Sequence, residues 1–288
     1  MSENRIYHLG LYEKALPPSL SYMEKLRMCG QCGFDHMELS IDETSEKISR
    51  LYEKGTATTL RRAITETGIP ISTLCLSAHR KFPLGSHSST IRLHSLDLLK
   101  RAAELAAESG IWLIQLAGYD VYYEEHDEQT EMFFCENLQQ AVAFADQYGI
   151  SMGFETMETP FMDTVEKAVK YVRLANSSRL GLYPDIGNLQ NAAVLYGCLT
   201  AEDLRAGEGH IYAAHLKETK PGIYRNLLPG TGHTDYSGCL RELWRQGVRT
   251  FTGELWYQGK SDAAVLLQQA SAFLRNKIES VSITMERP

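Results

Sequence analysis

Four residues in the second half of the chain stand where they could do chemistry. They are Glu155 in "GFETME", Asp185 in "LYPDIGN", His215 in "AAHLKET" and Glu254 in "GELW". Three of the four sit inside or directly after a short apolar, β-prone run, and successive ones lie roughly 30 to 40 residues apart. Taken singly, each has a plainer reading. A glutamate at a strand end is often solvated, a lone histidine is often a hydrogen-bonded core residue, and an aspartate before Gly187 can serve a turn. Taken together they fit one ion. Buried carboxylates without partners are costly, and carboxylates held close repel one another. A divalent cation removes both penalties. Three carboxylates and an imidazole suit Mn²⁺, Zn²⁺, Mg²⁺ or Co²⁺, with positions left over for substrate oxygens.

Residues so far apart meet only if repeated elements bring them together. Eight β-prone runs cover Ile6–Leu11, His36–Ile41, Ile71–Ser77, Trp112–Ala117, Ser151–Glu155, Leu180–Tyr183, Ile211–Leu216 and Thr250–Leu255. They read as nearly continuous apolar stretches, as parallel strands buried on both faces do. Helical periodicity fills the gaps between them. Arg92 to Glu108 carries a Leu93/Leu96/Leu99/Ala103/Leu105 stripe stopped by Gly110, and Glu131 to Tyr148 is stopped by Gly149. Asp163 to Leu174 opens with Asp163 as N-cap and Glu166 as its capping-box partner. Eight strand–helix units predict a single (β/α)8 TIM barrel over residues 1–288, with a short lead (1–5) and a tail from about 280. Strand one is followed by "YEKALPPS", without the glycine cluster of a dinucleotide fold, so neither nicotinamide nor flavin is expected.

Composition narrows the partners. The net charge of −7 argues against a nucleic-acid grip, which needs a dense basic patch. No run reaches the length of a membrane span and no signal-peptide pattern opens the chain, so a cytoplasmic enzyme is expected. The six cysteines are then expected to be reduced. Cys29 and Cys32 form a C-x-x-C that closes a helix before Gly33 rather than opening one, and no second ligand pair accompanies it.

In a barrel the active site lies at the C-terminal ends of the strands. Weaker candidates for substrate contacts cluster there: Glu13 and Lys14 after strand one, and Ser77, His79, Arg80 and Lys81 after strand three. Gln115 lies inside strand four, with Tyr119 and Asp120 after it, and Glu158 and Asn188 follow strands five and six. Lys217, Lys220, Arg225 and Asn226 occupy the long stretch Lys217 to His233, where barrels often hold phosphate.

The quoted motifs, with "HLKETKPG", "GLYEKALP" and "CLSAHRKFPLGS", resemble the xylose-isomerase-like barrel superfamily, which includes ketose 3-epimerases and abasic-site endonucleases. Within it they are similar to the phosphopentulose 3-epimerases, which interconvert L-ribulose 5-phosphate and L-xylulose 5-phosphate in pentose and ascorbate utilisation. The resemblance implies one divalent ion on Glu155, Asp185, His215 and Glu254. It also implies that Glu155 and Glu254 move protons at C3 through a cis-enediolate, and that the enzyme is a homodimer. Free-sugar members often carry a histidine three residues after the aspartate ligand. Asn188 stands there, which fits the phosphate-ester branch. Other activities for such a metal site are aldose–ketose isomerisation, hexulose-phosphate isomerisation and free-ketose epimerisation. More remote are DNA repair at abasic sites and sugar sensing without catalysis.

Overall fold

Eight short strands form a parallel cylinder in a computed structural model that describes residues 6–259 and 263–286. They are β1 (His8–Tyr12), β2 (His36–Ser40), β3 (Ile71–Leu76), β4 (Leu113–Ala117), β5 (Ser151–Glu155), β6 (Leu180–Leu182), β7 (Ala214–Leu216) and β8 (Thr250–Gly253). Neighbours in sequence pair in parallel from β1 to β6 and from β7 to β8, and β1 pairs with β8. The seam between β6 and β7 closes through isolated bridges, Leu182 with Ile211 and Asp185 with His215. His215 N donates to Pro184 O at 2.9 Å, and Tyr212 N donates to Leu182 O at 2.9 Å.

The helices on the outside are α1 (Tyr22–Gln31), α2 (Ser45–Ser49), α3 (Thr56–Thr67), α4 (Ser89–Ser109), α5 (Glu128–Tyr148), α6 (Val165–Ala175), α7 (Ile186–Tyr196), α8 (Thr200–Arg205), α9 (Tyr236–Arg245) and α10 (Ala263–Glu286). The predicted helices over 92–108 and 131–148 are α4 and α5. Gly110 ends α4 at φ +77, a conformation glycine adopts without strain. The apolar stripes of the helices pack on the outer face of the strands as one continuous core. Within the barrel, Gly10 is required by close approach, because a Cβ there would lie 2.1 Å from His36 Nε2.

The structure differs from the sequence reading in a few places. Ile211 does not start β7 but makes only a bridge, and Ser77 leaves β3 for a 3₁₀ turn over Ser77–Arg80. Thr164, not Asp163, caps α6. The Asp203 carboxylate takes the Val165 and Glu166 amides, while Asp163 turns to Lys167 and Tyr196. The expected tail from about 280 is helical as far as Glu286, and the expected lead, 1–5, lies outside the described residues. Cys29 lies buried in α1 and Cys32 at its end, where their thiols donate to the His36 and Ala264 carbonyls. Among the described residues, no helix is long and apolar enough to cross a membrane.

Candidate metal centre and active site

The C-terminal mouth of the barrel gathers Glu155, Asp185, His215 and Glu254, all buried, with one donor atom from each lying within 4.8 Å of the others. Glu155 ends β5, His215 sits inside β7, Glu254 directly follows β8, and Asp185 follows β6 after Tyr183 and Pro184. The local fold gives each a direction. Asp185 Oδ1 caps α7, accepting from Gly187 N at 2.8 Å and Asn188 N at 3.0 Å, so Oδ2 is free to face the cluster. His215 is held at both ring nitrogens, Nε2 lying 2.7 Å from Glu38 Oε1 and Nδ1 3.1 Å from Glu155 Oε1. Gln115 Nε2 donates to Glu155 Oε2. Lys217 Nζ lies 2.7 Å from Asp185 Oδ2 and 3.0 Å from Glu254 Oε2. Those two oxygens feel the ammonium's charge but receive no well-directed hydrogen bond.

The electrostatics follow from burial. Burial pushes the Asp185 carboxyl up to about 7, although the neighbouring Lys217 pulls it down. Burial alone would keep His215 neutral, but Glu38, then Tyr183 and Glu155, raise its pKa well above the usual histidine value. Burial also opposes a charge on Glu38. His215 and hydrogen bonds from Thr73 and Tyr183 outweigh that opposition and hold Glu38 below the usual carboxylate range. Lys217, buried among carboxylates, is held above the usual lysine value because Asp185, Glu254 and Glu155 outweigh its desolvation. Three carboxylates and an imidazole at one point, with two carboxylate oxygens lacking directed donors, fit a divalent cation.

A cavity of about 240 Å³ opens over the cluster. Of the sequence candidates, Lys14, Ser77, Arg80, Glu158, Lys217 and Arg225 line it, together with Glu155 and Glu254. The other candidates, among them Lys81, Gln115, Tyr119 and Asn226, are not on its wall. Glu13 is buried beneath the rim and binds Lys25, Lys47 and Arg50. His79 is buried against α4, its Nε2 3.2 Å from the Ser95 carbonyl. Asn188 sits below the cluster, Nδ2 donating to Thr156 O at 2.8 Å. Lys220 is exposed on a two-residue bridge with Ile223. Asp120 is committed to His126 and Thr130. The long segment after β7 is pinned by buried Glu218, which accepts from Gly230 N at 2.7 Å and Thr234 N at 3.0 Å.

Sequence reasoning missed Glu38, Tyr12, Cys75, Met157 and Trp256. Glu38 carried a usable signal: it is an acidic residue in the middle of a strand buried on both faces.

These features define a (β/α)8 barrel with a metal-type donor cluster at its C-terminal mouth, and the chain belongs to the xylose isomerase-like TIM barrel family, whose description matches residues 26–277. L-ribulose-5-phosphate 3-epimerase UlaE of Shigella boydii serotype 18 is 38% identical over 272 residues, which is 94% of this chain and 94% of that one. In fold, the chain is similar to a solved L-ribulose 3-epimerase, with TM-score 0.78 and 15% identity, covering 98% of this chain and 97% of that one. It is also similar to the IolI protein solved with a zinc atom, with TM-score 0.79 and 17% identity, covering 95% and 99%.

Proposed function

We propose that this protein is a divalent-metal-dependent 3-epimerase that interconverts L-ribulose 5-phosphate and L-xylulose 5-phosphate. The observation that carries the reading is the convergence of Glu155, Asp185, His215 and Glu254 at the barrel mouth, with Glu155 and Glu254 on the cavity wall. The substrate comes from the UlaE relative, which matches this chain along nearly its full length. The reading keeps the cytoplasmic homodimer expected from the sequence.

Inverting C3 of a 2-ketose requires a proton to leave one face of the carbon and another to arrive on the opposite face. Glu155 and Glu254 come from strands three places apart around the barrel, so they reach the cavity from different sides. One carboxylate takes the C3 proton while the other, protonated, returns one to the far face of the planar intermediate. Their roles exchange with direction. Gln115 Nε2 donates to Glu155, and the Lys217 ammonium lies 3.0 Å from Glu254 Oε2. When bound, a divalent ion on the four ligands would polarise the ketose carbonyl and offset the negative charge developing on its oxygen. Tyr12 and Trp256, 6.2 Å apart edge to face, wall the cavity and limit water.

The test is direct. L-ribulose 5-phosphate incubated with metal-loaded protein in D₂O should yield L-xylulose 5-phosphate with deuterium at C3, read by NMR. An aldose phosphate as product would replace this reading with isomerisation at C1 and C2. Glu155→Gln and Glu254→Gln should each lower kcat by about 10²-fold or more, the scale of a lost general acid or base. A variant that keeps over a tenth of wild-type turnover would contradict the two-carboxylate scheme.

A further inference from the structure

Lys217 comes two residues after His215 at the exit of β7, so the alternation of an extended chain turns both side chains to one face. It is 4% exposed and lines the cavity. Its Nζ stands 2.7 Å from Asp185 Oδ2 and 3.0 Å from Glu254 Oε2. Asp185 Oδ1 is committed to the α7 amides, which leaves Oδ2 as the oxygen that residue can offer to a cation. Lys14 and Arg225 line the same cavity but are matched elsewhere, by Asp42 and Glu158. An ammonium thus sits on two of the carboxylates of the donor cluster.

Its hold on them is electrostatic rather than directional, since neither oxygen receives a well-directed hydrogen bond. An ammonium is a compact point charge on a flexible stem, able to leave and return, where an arginine's planar fork would lock two oxygens at once. The Trp256 ring, 5.6 Å from Nζ, gives that charge a second surface to rest on. Without Lys217, Asp185 and Glu254 would be buried, close together and unmatched, which is costly. With an ion on the same oxygens, ammonium and ion would be like charges side by side where water is scarce, and their repulsion is strong there. The two oxygens therefore suit one cation at a time.

We infer that Lys217 is the resident counter-ion of the donor cluster: it holds Asp185 and Glu254 in position before a metal ion arrives and competes with that ion for their oxygens; this rests on the metal-dependent reading above. Lys217 is in this sense a positioning residue. It keeps the empty site folded, and it keeps the loaded site exchangeable, at an affinity weaker than the four donors would give unaided.

Binding of Mn²⁺ or Zn²⁺ to EDTA-stripped protein, followed by calorimetry at about pH 8 so that protons compete less for the carboxylates, reads this competition directly. Lys217→Met should tighten the dissociation constant about tenfold or more, the scale of one like charge removed from beside the ion. Lys217→Arg keeps the charge and should bind the ion no tighter than wild type. Stability should move the other way. Stripped Lys217→Met should melt about 5 °C or more below stripped wild type. Saturating ion should then raise its Tm by more than it raises that of wild type, as linkage requires of the tighter binder. A side chain that only fills space would loosen the ligands when truncated and weaken the ion. A lysine that only contacts substrate would leave ion affinity unchanged. Either result would overturn the inference. If stripped Lys217→Met does not fold, Lys217→Gln and Lys217→Met refolded with the ion carry the comparison through ion release to a chelator. Release slower than from wild type supports the competition, and equal or faster release overturns it. Because binding is read without turnover, the two ideas separate. A tighter ion in Lys217→Met, from a protein that epimerises neither ester nor free ketose, would leave the counter-ion standing and remove the epimerase reading. No ion bound by wild type or any variant would overturn the metal site and this inference together.

Discussion

At the scale of single residues, the site depends on a glutamate that touches no part of the cavity wall. Glu38 accepts from Thr73 Oγ1 at 2.7 Å and from Tyr183 Oη at 2.9 Å, and sits 2.7 Å from His215 Nε2. It therefore fixes both the ring orientation of His215 and the tautomer that leaves Nδ1 toward the other ligands, the role a carboxylate behind a metal-bound histidine commonly plays. Glu38→Gln keeps the shape but removes the negative charge and one acceptor oxygen. Divalent-ion affinity, measured by calorimetric titration with Mn²⁺ or Zn²⁺, should fall by about 10- to 100-fold. A dissociation constant within threefold of wild type would show that His215 is held by its strand alone. The four clustered donors were legible in the sequence because each lies in or just beyond an apolar run. Glu38 was missed because that search stopped at strand ends, and its signal, an acidic residue inside a buried strand, does not say which residue it faces.

At the scale of elements, the strands were legible for a physical reason. Both faces are buried, so β3, β4 and β5 read as nearly continuous apolar runs. The cap of α6 was not legible, because Asp203, which takes the Val165 and Glu166 amides, lies far along the chain. The same limit explains Glu13, whose position after β1 suggested a substrate contact. Its carboxylate instead joins three elements: it binds Lys25 of α1 at 2.7 Å, Lys47 of α2 at 2.7 Å, Arg50 beyond α2 at 2.8 Å, and the Ser40 amide of β2 at 2.9 Å. This junction fixes the rim from which Tyr12 and Lys14 reach the cavity. Glu13→Gln would leave three mostly buried cations without their counter-charge, at a cost of about 3–5 kcal/mol on the scale of broken buried pairs. The pH dependence has a definite sign. Burial opposes ionisation of Glu13, but Arg50, Lys47 and Lys25 outweigh it and hold the carboxyl far below its ordinary 4.5. The unfolded chain therefore takes up the proton first as pH falls. The stability from Glu13 is complete above that ordinary value and is lost as pH drops below it toward the folded value. Urea midpoints should thus fall more steeply in wild type than in Glu13→Gln between about pH 5 and 3. Parallel curves would show that the junction is not an ionic one.

At the scale of the whole molecule, the cylinder has a weakest line, and the four clustered donors lie on both sides of it. β6 and β7 are three residues each, and the seam between them is joined by isolated bridges instead of a full ladder. One of those bridges pairs Asp185 with His215. An ion that binds both would clamp the seam, and Glu155 and Glu254 would tie in the strands on either side. An ion that binds the folded chain and not the unfolded one stabilises it by mass action, about 2.7 kcal/mol at a hundredfold excess over the dissociation constant. For a chain of this size, that corresponds to a rise in Tm of about 4–5 °C. Protein stripped with EDTA and then supplied with Mn²⁺, Zn²⁺, Co²⁺ or Mg²⁺ should show such a rise with at least one of them. The gain should also be local. Amide exchange should slow at Tyr212 and His215, whose N–H groups bridge the seam to Leu182 and Pro184, more than at amides of the β2–β3 ladder across the barrel. A rise in Tm with uniform protection would place the stabilisation elsewhere than the seam. No rise with any of the four ions would leave Asp185 and Glu254 to Lys217, and Glu155 to Gln115 and His215, and remove the metal from the reaction.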